Sequence, residues 1–508
     1  MAKGGFRLAH DTTTECLLFP EIFSRPVVAQ FDQRQGSSDG GAILLKAADR
    51  RLGLTESLAT CLVDKRQPAK VQHETEELLG QRVYGIACGY ADANDAARLA
   101  EDPVHKLLVG RDPVEGADLA SQPTLSRFEN APDRKQLYRL GEALAECVIE
   151  RHRRRLHGRA RRITLDLDPT DDPTYGAQQL TFFHRHYDTW CYLPVMGFMS
   201  FNDEKEQYLF TAVLRSGHAV ASVGAIGILC RILQKLRRAF PQARLRVRLD
   251  GGFADPLLLT FLDAMGVEYV VAMAKNAVLN HLAEPTMQQA RKFSEESGQT
   301  EHLYGEGRYA AESWWSERRV IFKAEVVRHE GKEPKDNPRF LITNLKQGPR
   351  WIYEQVYCER GEIENLLKEL HQGLEIDHTS CSKFWANQFR VLMTAAAYVL
   401  MQELRLRAAR TACARAQAWT LRERLLKLGA QVKVSVSSRM PKQSTTAIGP
   451  PAHLTTSSGF SCKQGLCRTA RIKASAPLSA VGRSSCTRMW TRSCWLRKNL
   501  AQERPVAG

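Results

Sequence analysis

One run of residues limits the fold of this chain more than any other. Ile163-Thr164-Leu165-Asp166-Leu167-Asp168 alternates apolar and polar side chains, then enters the turn Pro169-Thr170-Asp171-Asp172-Pro173. Period two marks a strand running into a polar loop. Strand patterns return at 192–201 and 207–214. The period then changes, predicting a helix over 221–240, a strand over 244–249, a helix over 256–265 and a strand over 268–274. Three consecutive strands followed by alternating helices and strands require a mixed α/β sheet. It starts antiparallel and is then extended through crossover helices.

The flanking segments read differently. Leu and Ala recur at helical spacing from Gly41 to about Glu150, broken at Pro and Gly, which predicts a mainly helical N-terminal domain over 1–158. A short capped helix at Gln122–Phe128 reads as a surface turn between core helices. Seven arginines fall within 151–162, among them Arg153, Arg154 and Arg155, just ahead of the alternating strand. They are candidates for tracking DNA phosphate or for a solvated basic linker. Beyond the last predicted strand, 276–345 reads as a β-rich insertion with hairpin material after Trp314-Trp315. Long helices follow at 351–372 and 382–407, so the insertion separates an α/β segment over 159–275 from a helical one over 346–430.

Charge and composition exclude several classes. The chain has 508 residues and a net charge of +16, but twelve Lys/Arg against the single acid Glu503 put eleven of those charges in 437–508. That tail is rich in Ser, Arg and Cys, also holds Trp490 and Trp495, and has no period. We expect it to be disordered, and its composition is that of out-of-frame translation of GC-rich DNA. The longest apolar stretch, near Val391–Met401, is far short of the ~20 residues that span a bilayer. Met1–Phe6 has no apolar region of a secretory signal. The 13 cysteines are scattered without CxxC spacing, as in a reduced compartment.

Acids fall at three telling places. Asp166 and Asp168 end the first strand, and Asp250 ends the strand 244–249, followed by Gly251-Gly252. The third acid lies on the helix after Tyr357. At 100° per residue, Tyr357, Arg360, Glu364, Lys368 and His371 share one stripe, whereas Glu359, Glu362 and Glu369 point elsewhere. Glu364 therefore stands beside an Arg and a Lys suited to phosphate. Each feature alone is commonly a turn or a solvated face; together they point to an all-oxygen site for Mg²⁺ or Mn²⁺.

These residues carry a resemblance. Asp166-Leu-Asp-Pro-Thr-Asp-Asp172 with Gly176, Arg248-Leu-Asp-Gly-Gly-Phe253, and Tyr357-x-x-Arg360-Gly-x-x-Glu364-x-x-x-Lys368 resemble the motifs of bacterial insertion-sequence transposases of the DDE class. More narrowly they resemble the hairpin-forming group with a Tyr-Arg-Glu-Lys signature and a β-insertion, over about Ser38 to Leu428. The resemblance implies an RNase H-like catalytic domain and a divalent metal on Asp168, Asp250 and Glu364. It implies element-end cleavage followed by strand transfer, with Tyr357, Arg360 and Lys368 holding phosphates. It favours Asp168 over Asp166 as the first acid, while some relatives place the basic residue where this chain has His371. It further implies double-stranded DNA as partner, a homodimer when two ends are paired, no membrane, and a bacterial cytoplasm. Trp314 or Trp315 is a candidate for stacking on a levered base, with packing as the plainer role.

Other readings are a nuclease of the same fold that does not transpose, and a DNA-binding remnant that has lost activity. A carboxylate-pair glycosidase explains neither the arginine run nor the Arg and Lys beside Glu364.

Overall fold

The alternating run becomes an inner strand, β1 (Arg162–Pro169), of a nine-stranded mixed sheet. The structure, a computed structural model, describes residues 35–434 and, upstream, two paired short strands at Leu17–Leu18 and Val28–Ala29. The expected tail at 437–508 lies outside the described residues. After β1 come β2 (Val195–Phe201) and β3 (Tyr208–Val213), both antiparallel to their neighbours. Then β4 (Arg244–Leu249) and β5 (Glu268–Met273) add on the other side of β1 in parallel. The local order is β3-β2-β1-β4-β5, the mixed sheet expected from the periodicities.

The segment after β5 departs from expectation in two ways. The strands β6 (Glu301–Tyr309), β7 (Arg318–Val327) and β8 (Arg339–Thr343) are present. However, β8 pairs with the edge of β5 and continues the same sheet, in the order β6-β7-β8-β5. They are also preceded by a 21-residue helix, Ala277–Ser297, that the sequence reading missed. Its buried face, Leu279, Ala283, Met287, Ala290 and Ser294, has helical spacing, but Pro285 inside it argued against a helix.

Ahead of the sheet lie the helices α1 (Ile43–Leu52), α2 (Leu54–Ala59), α3 (Thr75–Ala87), α4 (Pro103–Leu108), α5 (Gln122–Glu129) and α6 (Arg134–Arg155). α1, α3, α5 and α6 pack onto a long helix, Phe384–Arg407, that is buried along nearly its whole length, while α2 and α4 pack against α3 and its neighbours. The apolar stretch Val391–Met401 of the long helix lies in the core, and its buried polar side chains, such as Gln388 and Gln402, bond to neighbouring backbone. One continuous core runs from Ala42 to Leu426, so the expected segments 1–158, 159–275, 276–345 and 346–430 share it. The chain closes on itself as well. Ala430–Gln431 pairs with Gly36–Ser37, and Gly41 passes so near the Leu425 carbonyl that a Cβ would overlap it.

The outer edge of β3 needs partners for its backbone. Two glutamines of the Phe384–Arg407 helix supply them. Gln402 accepts from Leu209 N (3.0 Å) and donates to Gln207 O (2.8 Å). Gln388 accepts from Leu214 N (2.7 Å) and donates to Ala212 O (3.3 Å). Gln402→Leu leaves one buried donor and one acceptor unpaired, and an expected loss of about 1–3 kcal/mol in urea unfolding checks this. No change would mean that water replaces the amide.

Candidate active site

Register brings two aspartates together. Leu167 and Leu249 are directly paired across β1 and β4, so Asp168 and Asp250 follow at the same end of adjacent parallel strands. Ligand sites of α/β sheets lie at such strand ends. Asp168 is 8% exposed. Asp250 also accepts from Gly252 N at 2.8 Å, which shapes the turn behind it.

The third element is not the single regular helix expected over 351–372. Ile352–Tyr357 is wound as π-helix and Cys358–Gly361 as 3₁₀, and regular α-helix begins at α7 (Glu362–Leu374). A uniform 100° step from Tyr357 therefore does not describe the stretch. Arg360 still reaches both aspartates. Arg360 Nη2 donates to Asp168 Oδ1 at 2.7 Å and stands 3.8 Å from Asp250 Oδ2. Glu364 is exposed, makes no ion pair or hydrogen bond among the described residues, and adds its charge to the field at Asp168. Tyr357 is half-buried beside Asp250 and Arg360, and Lys368 is exposed.

The neighbouring acids are committed elsewhere. Asp166 is fully buried and grips Arg248 through two bonds of 2.8 and 2.7 Å. Arg248 also donates to the Val356 carbonyl and lies near Glu359. Glu369 is buried against Arg405, Tyr398 and the Ala418 amide. His371 sits between Thr170 and Asp377, at 3.0 Å from each, so it ties the loop after β1 to the end of α7.

Burial pushes the Asp168 carboxyl up to about 6; Arg360 opposes the shift, and the charges of Asp250 and Glu364 add to it. Three carboxylates with no sulfur or nitrogen donor fit a hard divalent cation, which would relieve this crowding. Their oxygens do not all lie within 4.8 Å of one another. Among the described residues the one group of three possible ligands that does meet that distance is Asp39, Cys88 and His105. There both Asp39 oxygens are already taken, by His105 at 2.9 Å and Lys427 at 2.8 Å, as in a buried ion network.

Two residues near the acids escaped the sequence reading. Tyr187, on the loop after Phe182–His184, feels Asp171, Asp168 and Asp250. Arg215 is buried near Asp250, donates to four backbone carbonyls of the following loop and of Leu193, and leaves Nη2 without a partner. Only spatial proximity links them to the site.

The remaining candidates fall away from the acids or are paired. Trp314 packs edge-on to Tyr309 and beneath Arg318, while Trp315 is 70% exposed and is the free aromatic of the pair. Arg153 and Arg154 both pair with Glu150, and Arg155 holds Glu204 through two bonds while lying over Phe201 and Tyr208. Arg151 pairs with Glu403, and Arg161 and Arg162 pair with Asp203. With so much of its charge matched, replacing Arg153, Arg154 and Arg155 by Ala should change the salt slope of DNA binding by about one unit or less. A change near three units would assign the run to direct phosphate contact.

Fold and site together define an α/β protein with a carboxylate centre set beside arginine, a chemistry suited to phosphodiesters. The family follows from comparison. Residues 19–447 match the family described as transposase DDE domain group 1, and the chain belongs to that family of DDE transposases. A comparison with curated proteins finds no match. Among solved structures, the chain is similar to the piggyBac transposase synaptic complex with hairpin DNA, with 10% identity, 71% of this chain and 74% of that chain covered, and a TM-score of 0.35. No helix among the described residues is long and apolar enough to cross a membrane.

Proposed function

We propose that this transposase cleaves DNA at the ends of a mobile element and joins the freed ends to a target, with Asp168, Asp250 and Glu364 as its metal-holding acids. One observation carries the reading: Asp168 and Asp250 end adjacent parallel strands and share Arg360, which stands four residues before Glu364. The β3-β2-β1-β4-β5 order, antiparallel then parallel, supports an RNase H-like catalytic fold. The helices over 43–155 are the candidate DNA-binding portion.

A divalent cation such as Mg²⁺ or Mn²⁺ held by the three carboxylates would supply positive charge for the scissile phosphodiester. The chain's own residues do the rest. Asp250 is held in place by Gly252 and Asp168 by its strand. Arg360 offers a planar fork for a phosphate, and Lys368 a mobile point charge on the same side. Tyr357 lines the wall beside Asp250, and Trp315 offers an exposed face for a base. Pairing of two element ends calls for a second copy of the chain.

The test uses the DNA that flanks the gene. Full-length protein, a duplex carrying the terminal inverted repeat, and Mg²⁺ or Mn²⁺ should give a cut at the element end that EDTA prevents. Binding without cleavage in either metal would favour the DNA-binding remnant. Cleavage without joining to a target would favour a nuclease.

A further inference from the structure

The two arginines at this site are held very differently. Arg248 is 3% exposed, makes two bonds to Asp166, and gives a third to the Val356 carbonyl. Arg360 has one short bond to Asp168, a 3.5 Å contact to the Leu167 carbonyl and a 3.8 Å approach to Asp250. Its Nε is buried with no partner. A buried guanidinium donor left unpaired is costly, so this placement is less well satisfied than that of Arg248. Its backbone is also unlike its surroundings. Arg360 lies in the 3₁₀ stretch Cys358–Gly361, between a π-wound turn and regular α-helix, and such stretches within helices mark hinges.

We propose that Arg360 is a built-in counter-ion that occupies the space between Asp168 and Asp250 until DNA phosphate draws it away, so that cation and DNA load together. The inference rests on the reading of Asp168 and Asp250 as cation ligands. A guanidinium beside two carboxylates opposes a divalent cation directly by like charge and by competition for the same oxygens. A phosphate offers Arg360 the bidentate partner that it lacks here. Moving onto the phosphate uncovers the aspartates, and linkage then requires DNA to tighten cation binding by the factor by which the cation tightens DNA binding.

Binding of Mn²⁺ to the full-length chain, read from the electron paramagnetic resonance signal of free Mn²⁺, tests this with and without a mixed-sequence duplex. Without DNA, Arg360→Gln should bind Mn²⁺ about tenfold or more tightly than the unaltered chain. The duplex should tighten the unaltered chain by a similar factor and Arg360→Gln by little. Arg360→Lys, which keeps the charge but loses the fork, should stay weak without DNA and guards against a folding defect in Arg360→Gln, as does its melting temperature. Equal Mn²⁺ affinity of the unaltered chain and Arg360→Gln, with both losing it on Asp168→Asn, would overturn the counter-ion role alone. Mn²⁺ binding indifferent to Asp168→Asn and Asp250→Asn in both backgrounds would overturn the cation site itself, and the proposal with it.

Discussion

Asp168→Asn, Asp250→Asn and Glu364→Gln should each reduce cation-dependent cleavage of an element-end duplex by about 10³-fold or more, leaving binding of that duplex in EDTA close to normal. Such a factor corresponds to about 4 kcal/mol of transition-state stabilisation, the scale expected for a cation removed from a phosphodiester centre. Binding should survive because none of the three side chains supports the core. Glu364 is exposed and free of partners among the described residues, and Asp250 keeps its turn through an asparagine oxygen. Glu362→Gln is the control, since Glu362 is exposed on the same helix and is not among the charges that act most on Asp168, which are Arg360, Asp250 and Glu364. Loss of cleavage in Glu362→Gln with retention in Glu364→Gln would place the third acid wrongly.

The second large effect separates Asp166 from Asp168. Asp166→Ala should destabilise the chain by about 3–5 kcal/mol, because it strands Arg248 as a buried charge without its partner. Arg248→Met added to Asp166→Leu should recover much of that loss, since removing both charges removes the desolvation problem. Asp168→Asn should do the opposite. Its folded carboxyl titrates near 6 against a usual 3.8, so the fold favours the protonated form. The stability this contributes is present below about pH 3.8 and is lost as pH rises towards 6. Asparagine mimics the protonated form, so Asp168→Asn should stabilise the metal-free protein by about 1–3 kcal/mol above pH 6. The gain should fade towards pH 4. Urea unfolding in EDTA at the two pH values reads it directly, and a loss of stability at pH 7.5 would show that the Arg360 pair outweighs burial.

Much of the architecture was legible because periodicity is a local property. The run 163–168, the strand at Arg244–Leu249 and the helix at Pro256–Ala264 need only their own residues to declare themselves. A residue at the end of a strand is likewise visible as such, and this singled out Asp250 and the pair Asp166 and Asp168, of which the family resemblance favoured Asp168. The helix Ala277–Ser297 was missed because Pro285 carries a strong local signal against helix that burial of one face overrode. The π and 3₁₀ turns before Glu362 were also invisible, since a constant angular step cannot register a change in winding.

The sequence by itself therefore determined the order of the main sheet strands and helices from Arg162 to Met273, the positions of the acids at element ends, and the basic residues near Glu364. Tertiary structure alone decided what each charge does. Alternation puts Asp166 and Asp168 on one face as equals. Register across β1 and β4 places Arg248 opposite Asp166 and leaves Asp168 to face Asp250 and Arg360. The arginine run looked like a bare positive stripe until Glu204 and Glu403 were brought to it from distant segments. The physical reason is the same in each case: a charge acts through partners a few ångströms away, and those partners are set by packing between segments far apart in the chain.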